Sequence, residues 1–316
     1  MFSFLFFLFF FNLLIMNIKN LNFFTKENVL KKPNWIKVKL LNNNNNVKYV
    51  TSMIKKNSLH SVCEEAQCPN LSECFSRKTV TFMILGSICT RKCPFCAVRS
   101  GRPNSVDLNE PKNLSSAILK IGLKYVVLTS VARDDLRDGG AEHFSKCIFF
   151  IRKNKDIKIE ILVPDFRKCR NNALSILGNS LPDVFNHNIE NVPRLYKKIR
   201  PGANYISSLK LLSEFKNLYP TIPTKSGLML GLGEKECEII EVMKDLYDSG
   251  VTMITLGQYL QPSKFHLPVK KYLTLSEFKN IEKEAKSIGF SNVFCGPFVR
   301  SSYHAEEQNI KNEFIL

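Results

Sequence analysis

Cys89, Cys93 and Cys96 fall in the segment Cys89-Thr90-Arg91-Lys92-Cys93-Pro94-Phe95-Cys96, directly after the apolar run Thr79–Leu85. Thiolate binds both structural zinc and iron–sulfur clusters, and the ligand count separates the two. A closed zinc site takes four ligands, usually as two C-x-x-C pairs. Three cysteines on a four-iron cubane instead leave one iron open to another ligand. Pro94 keeps the segment from continuing as a regular helix, so this is a loop. Upstream, Cys63, Cys68 and Cys74 make a second set of three, spaced C-x4-C-x5-C. Each set is one ligand short of a closed site, which argues against structural zinc in either. Six of the ten cysteines thus lie between residues 63 and 96, a clustering that speaks for metal binding rather than a disulfide framework. Cys147, Cys169, Cys237 and Cys295 read as ordinary thiols.

The elements that must position these sets follow from apolar periodicity. Strand-like runs at 79–85, 125–131, 158–163, 184–187, 226–231 and 252–256 alternate with amphipathic helical patterns. The helical patterns lie near 112–121, 141–154, 170–178, 205–218, 235–249 and 274–288. Six βα units predict an α/β fold with a parallel sheet, a partial (β/α)6 TIM-type barrel open on one side. Functional groups should gather at the carboxyl ends of its strands. The expected organisation is a signal-like segment (1–16), a basic Asn/Lys-rich leader (17–57), an extension carrying the first cysteine set (58–78), the barrel (79–290) and a carboxyl-terminal extension (291–316).

The C-x3-C-x2-C spacing, with an aromatic before the last cysteine, resembles the cluster loop of radical S-adenosylmethionine (SAM) enzymes. Together with C-x4-C-x5-C and Arg300-Ser301-Ser302-Tyr303, it resembles the lipoyl synthase family from about Lys32 to Ala305. The likeness includes Cys63-Glu64-Glu65-Ala66, Asp134-Asp135-Leu136-Arg137-Asp138-Gly139-Gly140, Leu162-Val163-Pro164-Asp165-Phe166 and Val184–Glu190. It continues through Lys225–Met229 and Gly257–Pro262. Ala97 and Ala132 stand where that family usually has Asp; neither is a cluster ligand, so activity is expected to be intact.

The resemblance implies two 4Fe-4S clusters. One, on Cys89, Cys93 and Cys96, would bind SAM at its open iron and cleave it to methionine and a 5′-deoxyadenosyl radical. The other, auxiliary cluster, on Cys63, Cys68, Cys74 and Ser302 (Ser301 as the fallback), would surrender sulfide. The implied reaction inserts sulfur at carbons 6 and 8 of a protein-bound octanoyl-lysine, a step on unactivated C–H bonds that a cofactor must carry. The implied partners are octanoylated lipoyl carrier domains of 2-oxoacid dehydrogenase complexes (pyruvate dehydrogenase first) or the glycine-cleavage carrier protein. A ferredoxin-type electron donor and an iron–sulfur cluster carrier are implied as well. Phe95, Gly139, Gly140, Asn186 and Asn188 are candidate SAM contacts. His187 reads as a hydrogen-bonding residue at a strand end, Gly231-Leu232-Gly233 as a weak glycine pattern, and Asp134, Asp135, Arg137 and Asp138 as a solvated loop. Arg300 is either a counter-charge to a cluster or a surface cation. Rival readings are a biotin synthase-like or methylthiotransferase-like enzyme, or a non-enzymatic metal-cluster module on nucleic acid.

The net charge of +17 has the size of a nucleic-acid footprint, but about half of it sits in residues 17–57, with nine lysines against the single acid Glu27. The remainder suits an acidic protein equally well, and no nucleic-acid partner is expected. Met1–Met16 is uncharged and almost wholly apolar, too short to span a membrane comfortably. With the acid-poor stretch behind it, including the Asn42–Asn46 run, it resembles a two-part leader. That predicts a plastid (apicoplast-type) destination, a mitochondrion as the alternative, and no stable membrane insertion of the mature chain.

Overall fold

A computed structural model describes residues 30–37, 45–154 and 157–310. The signal-like segment, and residues 17–29 and 38–44 of the expected leader, lie outside the described residues. The order of elements is α1 (Asn45–Lys56), β1 (His60–Ser61), α2 (Val62–Glu65), α3 (Leu71–Ser76), β2 (Thr81–Ile84), α4 (Glu110–Ile121), β3 (Tyr125–Ser130), α5 (Ala141–Arg152), β4 (Lys158–Leu162) and α6 (Arg170–Leu177). There follow β5 (Val184–Asn186), α7 (Pro193–Ile199), α8 (Tyr205–Leu218), β6 (Thr224–Leu230), α9 (Glu236–Asp248), β7 (Met253–Gln258), α10 (Leu275–Ile288), β8 (Asn292–Gly296) and α11 (Ala305–Ile310).

The eight strands form one sheet in sequence order. β1 pairs antiparallel with β2, and β2 to β8 are parallel throughout. All six expected βα units are present, and β8 adds a seventh parallel strand, aligned on β7 from Met253↔Asn292 to Gly257↔Gly296. β1 and β8 are the two ends of the strand order, so the barrel is open between them among the described residues. β2 and β7 are buried on both faces, which is why they read as near-continuous apolar runs rather than alternating ones. The covering helices bury a stripe. In α4 it is Leu114, Ala117, Ile118 and Ile121, and the helix has Pro111 in its first turn and ends on Gly122 at φ 81°.

Within the stretch read as leader, residues 45–56 form helix α1, whose Val50 and Ile54 are buried in the main core. Asn46 Nδ2 donates to Ser76 O (2.8 Å) and Tyr49 OH to Lys120 O (2.7 Å). Ahead of it, Trp35 Nε1 donates to Leu273 O (3.3 Å) and Ile36 is buried. Four apolar side chains at helical spacing (Val47, Val50, Met53, Ile54) outweigh the polarity around them once a neighbouring surface is available.

Two polar networks fix the barrel interior. Lys225 Nζ on β6 donates to both oxygens of Glu160 on β4 (3.0 and 3.2 Å), with both side chains fully buried. Asn186 Nδ2 (2.8 Å) and Tyr125 OH (2.8 Å) complete the donors to that carboxylate. The second network is a chain. Arg200 Nη1 donates to Tyr196 OH (2.8 Å), Tyr196 OH to Ser208 Oγ (3.0 Å), Ser208 to His187 Nε2 (3.0 Å), and His187 Nδ1 to Val163 O (2.8 Å). Burial, with Arg200 adding to it, depresses the His187 imidazole to about 4, so the ring is neutral.

Lys225→Met leaves Glu160 as a buried, uncompensated charge and is expected to lower stability by about 3–5 kcal/mol. Adding Glu160→Gln should recover part of that loss, as read from denaturant midpoints. As pH falls below 6.5, the unfolded chain takes up a proton at His187 that the folded chain refuses until about pH 4. The stability of the wild-type chain should therefore fall across that window relative to His187→Gln, and the two pH profiles should run parallel above it.

Candidate metal centres

The loop that follows β2 carries the first thiol set and is tied at its neck. Cys89 N–H donates to Arg99 O (2.8 Å) and Gly101 N–H to Cys89 O (2.9 Å). Thr90 binds Ala132 O through both its N–H (3.1 Å) and its hydroxyl (2.9 Å). Cys96 N–H donates to Cys93 O (3.0 Å), Leu267 N–H to Pro94 O (3.0 Å), and His266 Nε2 to Cys96 O (3.2 Å). Phe95 packs against the apolar cluster of Ile199, Leu232, Tyr259, Leu267 and Val269, which supports the loop from below. Arg91 N–H points at Cys89 Sγ (3.4 Å), and the Arg91 guanidinium reaches Asp134 and Asp165.

The second set is held by two short helices. Ser61 Oγ caps α2 by accepting from Glu64 N–H (3.3 Å), and Cys63 lies in its first turn. Cys68 N–H turns back on Cys63 O (3.0 Å), and Cys74 lies on α3. Asn70 Nδ2 donates to Phe298 O (2.7 Å) and Tyr303 OH to Glu73 (3.0 Å), which brings Arg300–Tyr303 beside this set.

Charge shows that each set converges. Burial pushes the Cys63 thiol up to about 12, with Cys68 adding to it, and Cys74 higher still, with both partners adding. Burial also raises Cys68, against the pull of Arg300. In the other set burial raises Cys93 to about 11, opposed by Arg200, and Cys96 to about 12, with Cys93 and Cys89 adding to it. A single zinc ion with bonds of about 2.3 Å would gather its sulfurs within about 3.8 Å of one another. Neither set has all three sulfurs within 4.8 Å; among the described residues only His304, Glu306 and Glu307 come that close, and Arg77 pairs with both glutamates. Converging thiols, buried, spread wider than one ion and short of a fourth thiol, fit a four-iron cluster in each place.

The two serines differ. Ser301 Oγ donates to Asn188 Oδ1 (2.7 Å). No hydrogen bond is made by the Ser302 hydroxyl to the described residues. Two strand glycines make room for this segment. A Cβ at Gly227 would lie 2.9 Å from both Asn188 Oδ1 and Ser301 Oγ, and one at Gly257 would overlap the Val299 carbonyl.

Of the expected SAM contacts, Asn188 is half-buried at the mouth, whereas Asn186 is fully buried and committed to Glu160. Gly139 and Gly140, at φ 63° and 92°, make the turn into α5, and Asp138 accepts from Gly140 N–H (3.0 Å) and Glu142 N–H (2.7 Å). The Asp134–Asp138 run is therefore bonded rather than merely solvated. Asp134, Asp165, Glu190 and Arg200 went unread in the sequence as site residues. Arg200 is buried, donates to Asn188 O (3.0 Å) and stands near Cys93, so it joins the mouth to the interior chain. Asp134 and Asp165 each follow a strand's carboxyl end by a few residues, and that position was the available signal.

Residues 83–246 match the Radical SAM superfamily. The chain is 64% identical to a lipoyl synthase of Buchnera aphidicola subsp. Acyrthosiphon pisum (strain Tuc7), over 95% of this chain and 94% of that one. It is 60% identical to one from Serratia proteamaculans (strain 568), over 90% and 88%. In fold it is similar to Streptococcus suis SuiB bound to S-adenosylmethionine (TM-score 0.52, 12% identity, 71% of this chain and 53% of that one). It is also similar to methylornithine synthase (TM-score 0.51, 15% identity, 66% and 62%). The chain thus spans little more than half the length of these solved structures, but nearly the whole length of the bacterial relatives. Identity at that level, across almost all of both sequences, makes this chain a member of the lipoyl synthase family of radical SAM enzymes.

Proposed function

We propose that the chain inserts two sulfur atoms, at carbons 6 and 8, into an octanoyl group amide-linked to a lysine of a lipoyl carrier domain. The observation that carries the reading is the pair of converging three-thiol sets at one mouth, joined by Ser301–Asn188. When bound, the cluster on Cys89, Cys93 and Cys96 supplies an electron to SAM, and the one on Cys63, Cys68 and Cys74 supplies sulfide.

The protein's own residues place these groups. Cys89, Cys93 and Cys96 offer three thiolates and leave one coordination position for SAM. Arg200, with donors at the mouth beside Cys93, and Asn188 are positioned to orient the polar end of a bound SAM. Ser302 gives the auxiliary set an oxygen ligand, harder and weaker toward these irons than thiolate, which suits a centre that is consumed. Arg300, close enough to Cys68 to oppose the rise of its thiol, offsets the negative charge of that centre. An acidic carrier domain and a ferredoxin-type donor suit the basic excess of the chain.

Anaerobic reconstitution should give about eight irons per chain, the content of two cubanes. With SAM, a reductant and an octanoyl-lysine peptide, the peptide should gain the mass of two sulfur atoms; SAM cleavage with no sulfur on the peptide would overturn the assignment. Alanine at Cys89, Cys93 or Cys96 should abolish SAM cleavage. Alanine at Cys63, Cys68 or Cys74 should spare cleavage and abolish sulfur insertion. Ser302→Cys should retain both clusters but slow sulfur transfer.

A further inference from the structure

Arg91 stands between two ligands of the SAM-side set, in a loop whose segment 86–106 carries four basic residues and no acid. Its guanidinium is gripped from two directions. Nε and Nη2 donate to Asp134 (2.7 and 2.6 Å), in the turn after β3. Nη2 also lies 2.6 Å from Asp165 Oδ1, in the turn after β4, an ion pair outside hydrogen-bond geometry that leaves this buried oxygen without a hydrogen-bond donor among the described residues. The Arg91 side chain is 9% exposed and Asp165 4%, against 30% for Asp134, so the Asp165 contact is the desolvated one. The stem of Arg91 lies over Gly202, where an added Cβ would stand 3.2 Å from Arg91 Cδ. Thr90 anchors the same turn to Ala132 O and Asp134. Beside the other thiol set the arginine–carboxylate pairing is more exposed: Arg77, just after α3, pairs with Glu306 and Glu307 and is 41% exposed.

A desolvated arginine–carboxylate pair contributes little net stability, because the cost of taking both charges from water offsets their attraction. Its effect is geometric: the two-pronged hydrogen bond to Asp134 fixes the plane of the guanidinium, and the buried charge of Asp165 draws it from the other side. Resting on the reading of Cys89, Cys93 and Cys96 as the SAM-side cluster site, we propose that Asp165 and Asp134 are positioning residues. Through Arg91 they hold the Cys89–Cys96 loop in the shape that receives its cluster. The two carboxylates clamp the loop to the carboxyl ends of β3 and β4, and the auxiliary site forms independently of them.

The test uses the full chain, with the auxiliary site as internal control. Asp165→Asn keeps the shape and removes the charge; Asp134→Asn is the milder second variant. Each is reconstituted anaerobically with iron and sulfide, desalted, assayed for iron, and mapped by iodoacetamide alkylation and mass analysis. Wild type should hold about eight irons and Asp165→Asn about four, the difference of one cubane. Protection should be lost at Cys89, Cys93 and Cys96 and kept at Cys63, Cys68 and Cys74. In the metal-free chain, alkylation of Cys93 should be about tenfold faster in Asp165→Asn, as expected when a clamped loop opens locally, with a smaller change in Asp134→Asn. Wild-type iron and protection in Asp165→Asn, or equal loss at both sites, would overturn the clamp. A wild-type chain with only about four irons would overturn the two-cluster reading itself.

Discussion

A thiolate half-buried in protein is costly unless positive charge stands close to it, and six such groups govern this molecule. Burial pushes Cys63 and Cys96 to about 12 and Cys93 to about 11, so without metal these groups hold their protons. Iron has to displace those protons, which makes metal loading and local ordering one linked equilibrium. The protein contributes an opposing guanidinium at each place, Arg300 toward Cys68 and Arg200 toward Cys93. One such charge cannot offset three thiolates, and bound iron would supply the balance.

The same constraint explains how the open barrel is finished. Cys63, Cys68 and Cys74 stand on α2, on α3 and in the turn between them, next to the β1 edge, while Arg300–Tyr303 follows β8 at the opposite edge. The intervening segment crosses the carboxyl ends of the strands. Phe298 O accepts from Asn70, Ser301 binds Asn188 after β5, and Tyr303 reaches Glu73 on α3. Gly227 and Gly257 let it lie directly on β6 and β7. The gap is thus bridged by side chains and one close-packed segment instead of strand pairing. Both thiol sets are thereby held against a common frame.

Much of this was legible in the residue string. Ligand spacing is local, so the six cysteines could be grouped by inspection. The six βα units were legible because each buried strand and each helical stripe carries its own period. α1 was hidden because its short apolar stripe lies among Lys and Asn, and polarity was weighed above spacing. β8 was absorbed into an extension because Val293-Phe294-Cys295 is brief and its partner, β7, is specified only by the fold. The charged partners were least legible. Arg91 is 43 residues from Asp134, and the serine–asparagine contact joins positions 113 apart. Such pairs are decided by which turns the sheet brings together. Gly227 and Gly257 gave no local sign either, since what they accommodate is a distant backbone rather than a turn.

The polar groups around the mouth are arranged to hold charge still rather than to pass protons. His187, the titratable group nearest the expected catalytic range, is kept neutral and fully engaged between Val163 O and Ser208. Asp165 is paired with Arg91, and Lys225 and Glu160 neutralise each other beneath the site. For chemistry on an unactivated C–H bond that is the useful arrangement, because general acids and bases have no purchase on such a bond and the reactive step belongs to the cofactor. What the chain must supply is fixed position, and fork-shaped hydrogen bonds backed by desolvated ion pairs give that at little net gain in stability. The density of guanidinium contacts at the carboxyl ends of β3, β4 and β5, against the plain apolar packing of the helical shell, is what that division of labour requires.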